Sequence, residues 1–367
     1  MIRIALPLCL MFSSLLCAQG SVAIYCSLDQ EFSEEILRDF ETRTGIKVEA
    51  TFDIEQHKTV GLVNRIISEA EGPRGDVFWN NEVGQTIRLK DKGLLEAYRS
   101  PQAADIPEKF KDPEGFWTGF AARARVIIYN TKLMGEQPRP TSIQDLLDPR
   151  WKGRVGMARP LTGTTITHFA ALFTVWGEEK TKRFIDDLLA AEISWQGGNA
   201  MTMREVGAGN LTWGYTDTDD ANVSRIKEHP TAVIVPDQSG PDAEGTLVIP
   251  NSVCLIKGAR NPDNAKKLID FILSSEVEER LARGRSAQIP LRPGLEAPQG
   301  MGTIKPMVVD WKQVGAAIEK HGDYLHEKFG GERGEPGAKS KRAIIIAGVC
   351  VLLVGLIGLS RRRAKVD

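Results

Sequence analysis

The sequence predicts a two-lobed α/β protein, and three observations carry that prediction. Short apolar strands alternate with amphipathic helices from Val22 onward, the pattern of a mostly parallel sheet covered on both faces. Two long apolar strand-like segments, 117–129 and 246–256, stand about 120 residues apart and suit a double crossover between lobes. Between apolar runs at the two ends lie about 300 residues of ordinary globular composition, enough for two domains.

The first lobe opens with a strand at 22–25. Phe32, Ile36, Leu37 and Phe40 then recur at helical spacing until Gly45 stops the helix. Ile46, Val48, Ala50 and Phe52 alternate as a second strand. A helix bearing Leu62, Val63, Ile66 and Ile67 leads through the Gly72-Pro73 turn to a third strand at 76–79, and Gly93 ends the next helix. After the first long strand a fresh series begins: strand 155–157, a helix from Thr164, helix 178–189, and strands 193–195 and 211–215. The second long strand returns the chain to a helix at 262–273 striped by Ala265, Leu268, Ile269 and Ile272. The expected organisation is therefore lobe 1 from 21–118 together with 247–327, including C-terminal helices, and lobe 2 from 119–246. The two crossing strands act as the hinge, and the cleft between lobes is where such an architecture binds its ligand.

The ends carry targeting signals. Residues 1–20 read as a signal peptide, with Arg3, an apolar run at 4–16, and small residues at Ala18, Gly20 and Ser21. Lipid attachment at Cys17 is the weaker reading, because Leu16 stands where a small residue belongs. At the other end, the seventeen apolar residues 343–359 are flanked by Lys339, Lys341 and Arg342 before and Arg361, Arg362, Arg363 and Lys365 after. This predicts a transmembrane helix over 342–360 following a flexible tether at 328–341, with 361–367 as a cytoplasmic tail. The bulk of the chain is expected on the periplasmic or extracytoplasmic face, anchored in the cytoplasmic membrane.

The formal net charge of −1 and the lack of a basic stripe argue against a nucleic-acid partner. Cys26 and Cys254 sit in apolar strand-like segments, where a buried thiol is the expected state rather than a disulfide, and no CxxC or Cys/His spacing suggests zinc. There is no G-x-S-x-G elbow, H-E-x-x-H or phosphate loop, so the expectation is a monomeric binding protein with no catalytic residue or cofactor.

Three clusters carry chemistry. Thr162, Gly163, Thr164 and Thr165 stand where a strand turns into a helix, and converging N–H groups and hydroxyls there make either an anion site or a simple helix cap. Asp217, Asp219 and Asp220 crowd three carboxylates at a strand end, which suits a hard cation or a solvated loop capping a helix near Ala221. Arg123 and Arg125 share one face of the first long strand and either neutralise an anionic ligand or pair with acidic neighbours. Trp79 and Trp117 either line the cleft or pack in the core.

Four stretches resemble the periplasmic ferric-iron-binding receptors of ATP-driven importers, within the extracellular solute-binding proteins. They are Tyr25-Cys26-Ser27-Leu28-Asp29-Gln30-Glu31, Asp76-Val77-Phe78-Trp79-Asn80-Asn81-Glu82, Asp145-Leu146-Leu147-Asp148-Pro149-Arg150-Trp151-Lys152-Gly153-Arg154 and Pro160-Leu161-Thr162-Gly163-Thr164-Thr165. The resemblance spans 22–300 and implies the periplasmic-binding-protein fold with two crossover strands, a permease of an ABC transporter as partner, and ferric iron as cargo. It also implies a synergistic anion held by Thr162, Gly163 and Thr164, with Asn199 as a further contact. The implied metal set is Asp29, Glu82, Tyr215, Asp217 and Asp219, with Asn81 beside Glu82 at the family's acidic position. The chain departs from the family in three places: Asp29 stands where many members have histidine, Asn81 with Glu82 beside it stands at the acidic ligand position, and Asp217 and Thr218 stand where two adjacent tyrosines are usual. Oxygen-only ligation still suits a hard ion, but without paired phenolates ferric selectivity is reduced. Two other readings stay open: an organic cation such as a polyamine or thiamine-like compound held by the same carboxylates and Trp79, and a membrane-tethered sensor. The C-terminal membrane helix is not part of the family's usual pattern.

Overall fold

The computed structural model describes residues 20–53, 59–240, 243–298 and 302–330. Lobe 1 begins as β1 (Ser21–Cys26), α1 (Gln30–Thr44), β2 (Lys47–Phe52), α2 (Val60–Ser68), β3 (Val77–Asn80), α3 (Gly84–Asp91) and the short β4 (Leu95–Glu96). The stripe on α1 buries Ser33, Ile36, Leu37 and Phe40, and Gly45 ends the helix at φ 69°, its N–H bonded to the Glu41 carbonyl. β1 pairs in parallel with both β2 and β3.

The chain then crosses to lobe 2 on β5 (Thr118–Asn130), which is buried along its whole length. Lobe 2 comprises α4 (Thr131–Met134), β6 (Val155–Ala158), α5 (Gly163–Val175), α6 (Glu178–Ala190), β7 (Ser194–Gln196), α7 (Asn199–Gly207), β8 (Trp213–Asp217), α8 (Thr218–Ile226) and β9 (Thr231–Ile234). The return strand β10 (Val248–Ile256) is followed by α9 (Pro262–Ile272), α10 (Ser275–Arg283) and α11 (Trp311–Phe329). The strand order is β2-β1-β3-β10-β5-β8-β6-β7, with β4 paired to β10 and β9 to β5. β5 divides its partners: Thr118 to Ala124 lie against β10, and Arg125 to Asn130 against β8 or β9. One strand thus links the two halves, and Arg123 and Arg125 fall at its changeover.

The two crossing strands are distorted where they pair. The register of β5 and β10 slips between Pro250 and Asn251, and Ala121 takes φ 36°. The distortion is held by Glu278, fully buried, whose carboxylate accepts from the N–H of Ala121 at 2.8 Å and of Leu291 at 2.7 Å and pairs with Arg292 at 2.7 Å.

Several expectations take a definite form here. Cys26 and Cys254 are both buried thiols with no bridge between them. β3 lies between their strands, pairing Cys26 with Trp79 and Cys254 with Phe78, so the two are two strand spacings apart, roughly 9.5 Å. That exceeds the reach of a disulfide, about 7 Å between Cα atoms. The helix expected near Ala221 starts earlier, at Thr218, and residues 328 and 329, expected in the tether, belong to α11 instead. Among the described residues no helix is long and apolar enough to cross a membrane. The membrane helix expected at 342–360, the tail at 361–367 and the signal segment at 1–19 lie outside the described residues.

Candidate functional site

The site is assembled by one strand register. Arg125 on β5 lies directly opposite Asp217 at the end of β8, and the two side chains, 0% and 2% exposed, pair at 2.6 Å. α5 packs over them from its N-terminal turn. Thr164 donates its hydroxyl to the other Asp217 oxygen at 2.5 Å, and Asn199, first residue of α7, donates to that same oxygen at 2.9 Å. Both oxygens of Asp217 are therefore engaged by protein groups. One turn further, Asp219 in α8 pairs with buried Arg123 at 3.0 Å, and Asp220 accepts from the Thr216 hydroxyl at 2.9 Å. Asp219 and Asp220 occupy the first turn of α8, where the helix dipole favours negative charge even before any cation arrives.

Asp217, Asp219 and Asp220 present carboxylate oxygens within 4.8 Å of one another. They border a cavity of about 20 Å³, shared with Asn81 of lobe 1, Arg123 of the hinge, and Thr162, Gly163, Thr164 and Asn199 of lobe 2. Gly163 sits at φ 58°, in the left-handed region, which lets the turn after β6 open directly onto this space. Thr162 occupies the N-cap position of α5 without a side-chain capping bond. Arg123 is the electrostatic centre. Burial pulls its pKa down, but Asp219, Asp217, Asp29 and Asp220, in that order, more than restore it, so it stays a guanidinium ringed by carboxylates.

Of the sequence-derived ligand set, Asn81, Thr162, Gly163, Thr164, Asn199, Asp217 and Asp219 meet at this cavity. Asp29 is not in its wall, though its charge is felt at Arg123. Glu82 is turned elsewhere. Its carboxylate accepts from the Gly84 N–H at 2.6 Å, the Gln85 N–H at 3.0 Å, Asn80 at 3.1 Å and Thr167 at 2.7 Å. With four donors it caps α3 and has no lone pair aimed at the cavity, and burial raises its pKa against these bonds. Tyr215 also lies away from the cavity: its ring stacks on His168 of α5 at 5.4 Å and lies under the Arg125 guanidinium at 5.3 Å. Burial, then the charge of Asp237, pushes the phenol pKa far up, the reverse of what a phenolate ligand requires. Trp79 is core, packed on Phe120 at 5.5 Å. What residue spacing left open was the partnership of the arginines. Two arginines two apart on β5 and two aspartates two apart across the junction of β8 and α8 form a matched spacing, which is the signal for it.

His168 gives the fold a pH dependence. It is buried, its Nδ1 has no hydrogen-bond partner, and burial followed by the charge of Arg125 holds its pKa well below 6.5. In the unfolded chain the imidazole titrates normally, so stability is present above about 6.5 and falls as pH drops below it. We expect a loss of about 1–1.5 kcal/mol between pH 7.5 and 5.5, read from urea midpoints. His321, whose pKa burial also lowers, adds in the same direction. His168→Phe should remove the larger share; a wild-type midpoint that does not move over this range contradicts the assignment.

The sequence profile of the bacterial extracellular solute-binding proteins matches residues 82–313, well over half of the chain. The chain belongs to that family. Among its relatives, iron uptake protein A1 of Synechocystis is 27% identical over 82% of this chain and 84% of its own length. The major ferric iron-binding protein of Neisseria meningitidis is 24% identical over 78% and 89%. Among solved structures, iron-bound HitA of Pseudomonas aeruginosa superposes with a TM-score of 0.75, at 24% identity over 85% of this chain and 99% of HitA. AfuA of Actinobacillus pleuropneumoniae, solved with fructose-6-phosphate, superposes with a TM-score of 0.76, at 25% identity over 85% and 99%. These likenesses support a two-lobed periplasmic-binding-protein fold for this solute-binding protein.

Proposed function

We propose that this protein is the solute-binding component of an ABC-type importer, capturing ferric iron together with a small anion between its lobes. The observation that carries the reading is the match of volume to charge: three carboxylates within 4.8 Å around about 20 Å³. A small cavity walled by clustered carboxylates and a helix-opening turn suits a hard ion with a compact anionic companion better than a polyamine or a thiamine-like cation. Relatives named for iron uptake and ferric iron binding support it.

In this reading Asp219 and Asp220 supply the metal oxygens, and Asn81 closes the site from lobe 1. Asp217, with both oxygens engaged, orders Thr164 and Asn199 rather than holding the ion alone. Arg123 and the turn at Thr162 to Thr164 take the anion, by charge and by the open end of α5. Export by the 1–20 segment, tethering through 342–360 and delivery to a permease complete the proposal.

A second reading, a solute bearing a phosphoryl group, is favoured by one observation: the buried guanidinium of Arg123 lines the cavity, where an all-carboxylate metal shell needs no arginine. Titration of the ectodomain with ferric iron, with and without citrate or phosphate, separates the two. One iron per chain, dependent on the anion and removable by chelator, supports iron capture. Absence of iron retention under all conditions, with tight binding of a phosphate monoester that is indifferent to chelator, replaces it with the second reading.

A further inference from the structure

α11 touches both lobes, and it does so with two kinds of contact. Toward lobe 1 it lies tight against α3. A Cβ on Gly315 would come within 2.5 Å of Ile87 Cγ2 and 3.5 Å of the Gly84 carbonyl, and Ile318, 3% exposed, fills the space beside Gly84. Glu319 adds ion pairs to Arg88 and, at 2.9 Å, to Lys92. Toward lobe 2 it meets α5 and α6 through rings and a surface pair. His321 stacks on Phe173 with centroids 3.8 Å apart and planes 6° from parallel, and Tyr324 meets the same ring edge-on at 6.4 Å. Lys182 stands 5.0 Å over Tyr324, and Lys320 pairs with Glu178 at 2.7 Å. At the level of α3, Thr167 of lobe 2 bonds Glu82 of lobe 1 directly at 2.7 Å.

These contacts cannot all survive a rotation about the β5 and β10 hinge. The lobe 1 side is backbone-close packing around glycines, which has no looser alternative geometry. The lobe 2 side is one ring stack, one edge contact, one lysine over a ring and an ion pair whose partners are 67% and 44% exposed, the class of interaction that is made and broken readily. We infer that α11 is an interlobe strap: it stays with lobe 1, releases Phe173 and Glu178 when the cleft opens, and so sets the balance between open and closed lobes.

This inference rests on the two-lobed solute-binding reading but not on which solute is bound, so it is tested without any. Spin labels at Glu71→Cys in lobe 1 and Glu136→Cys in lobe 2, both exposed positions, report the interlobe distance in the full chain by double electron–electron resonance. His321→Ala should raise the ratio of open to closed lobes by roughly 2- to 10-fold, the weight of one aromatic contact. Lys320→Glu should shift it in the same direction by a smaller factor, and Glu178→Lys added to it should restore the wild-type distribution. A disulfide between Lys320→Cys and Glu178→Cys should leave only the closed distance. Should His321→Ala fold by circular dichroism and yet leave the distribution unchanged, or the disulfide-locked protein open as freely as wild type, the strap is overturned. If His321→Ala does not fold, the Lys320→Glu shift and its rescue decide alone, and no shift there overturns it equally.

Discussion

Replacing Arg125 by Met should destabilise the protein by about 3–5 kcal/mol, the range found when one member of a buried ion pair is removed and the other stays charged. Arg125 is wholly buried, and its guanidinium holds Asp217 at 2.6 Å, Thr164 at 3.1 Å and Thr165 at 3.4 Å. Methionine matches the stem of arginine but returns none of these bonds, so a buried carboxylate loses its countercharge while two hydroxyls lose a donor. The combination with Asp217→Asn should recover most of the loss, because the amide stays neutral and keeps bonds to Thr164 and Asn199. Urea unfolding of the three variants reads this directly. A single variant as stable as the double would mean that the pair is not the electrostatic keystone that its burial implies.

Asp220→Asn should lower the retention of ferric iron by at least roughly 10- to 100-fold, the scale seen even when a group that merely orients a metal ligand is lost. The same change should move stability by no more than about 0.5 kcal/mol, since Asp220 is only half-buried and asparagine can still accept from Thr216. Asp219→Asn should affect both quantities, because Asp219 also balances buried Arg123 at 3.0 Å. The contrast between the neighbours is the informative result. Isothermal titration alongside the unfolding curves gives both numbers, and equal iron retention by Asp220→Asn and wild type would remove the carboxylate cluster from the site.

Much of the architecture is legible in the sequence. Periodicity located α1 and β2, and short continuous apolar runs located β1, β3 and the two crossing strands, which are buried along most of their length. Glycines at 45 and 93 marked helix ends for the same local reason, both taking φ 69°. α7 and α8 were harder. α7 follows a short strand with weak amphipathicity, and α8 starts among aspartates that read equally well as loop, so their boundaries depend on what they pack against.

The site divides along the same line. Residue types and spacing by themselves determined that acidic groups gather after β8, that a threonine-glycine turn opens a helix, and that Arg123 and Arg125 share a face. Only the tertiary structure decided which of these groups remain available to a guest. Register placed Arg125 opposite Asp217, the packing of α5 placed Thr167 on Glu82, and the cover of α5 withdrew Tyr215 behind His168. The physical reason is that a side chain's chemistry is local, whereas its burial and its partners are set by strands and helices distant in sequence. A carboxylate such as Asp217 becomes a ligand or a structural node according to whether a neighbour more than ninety residues away has already claimed its oxygens.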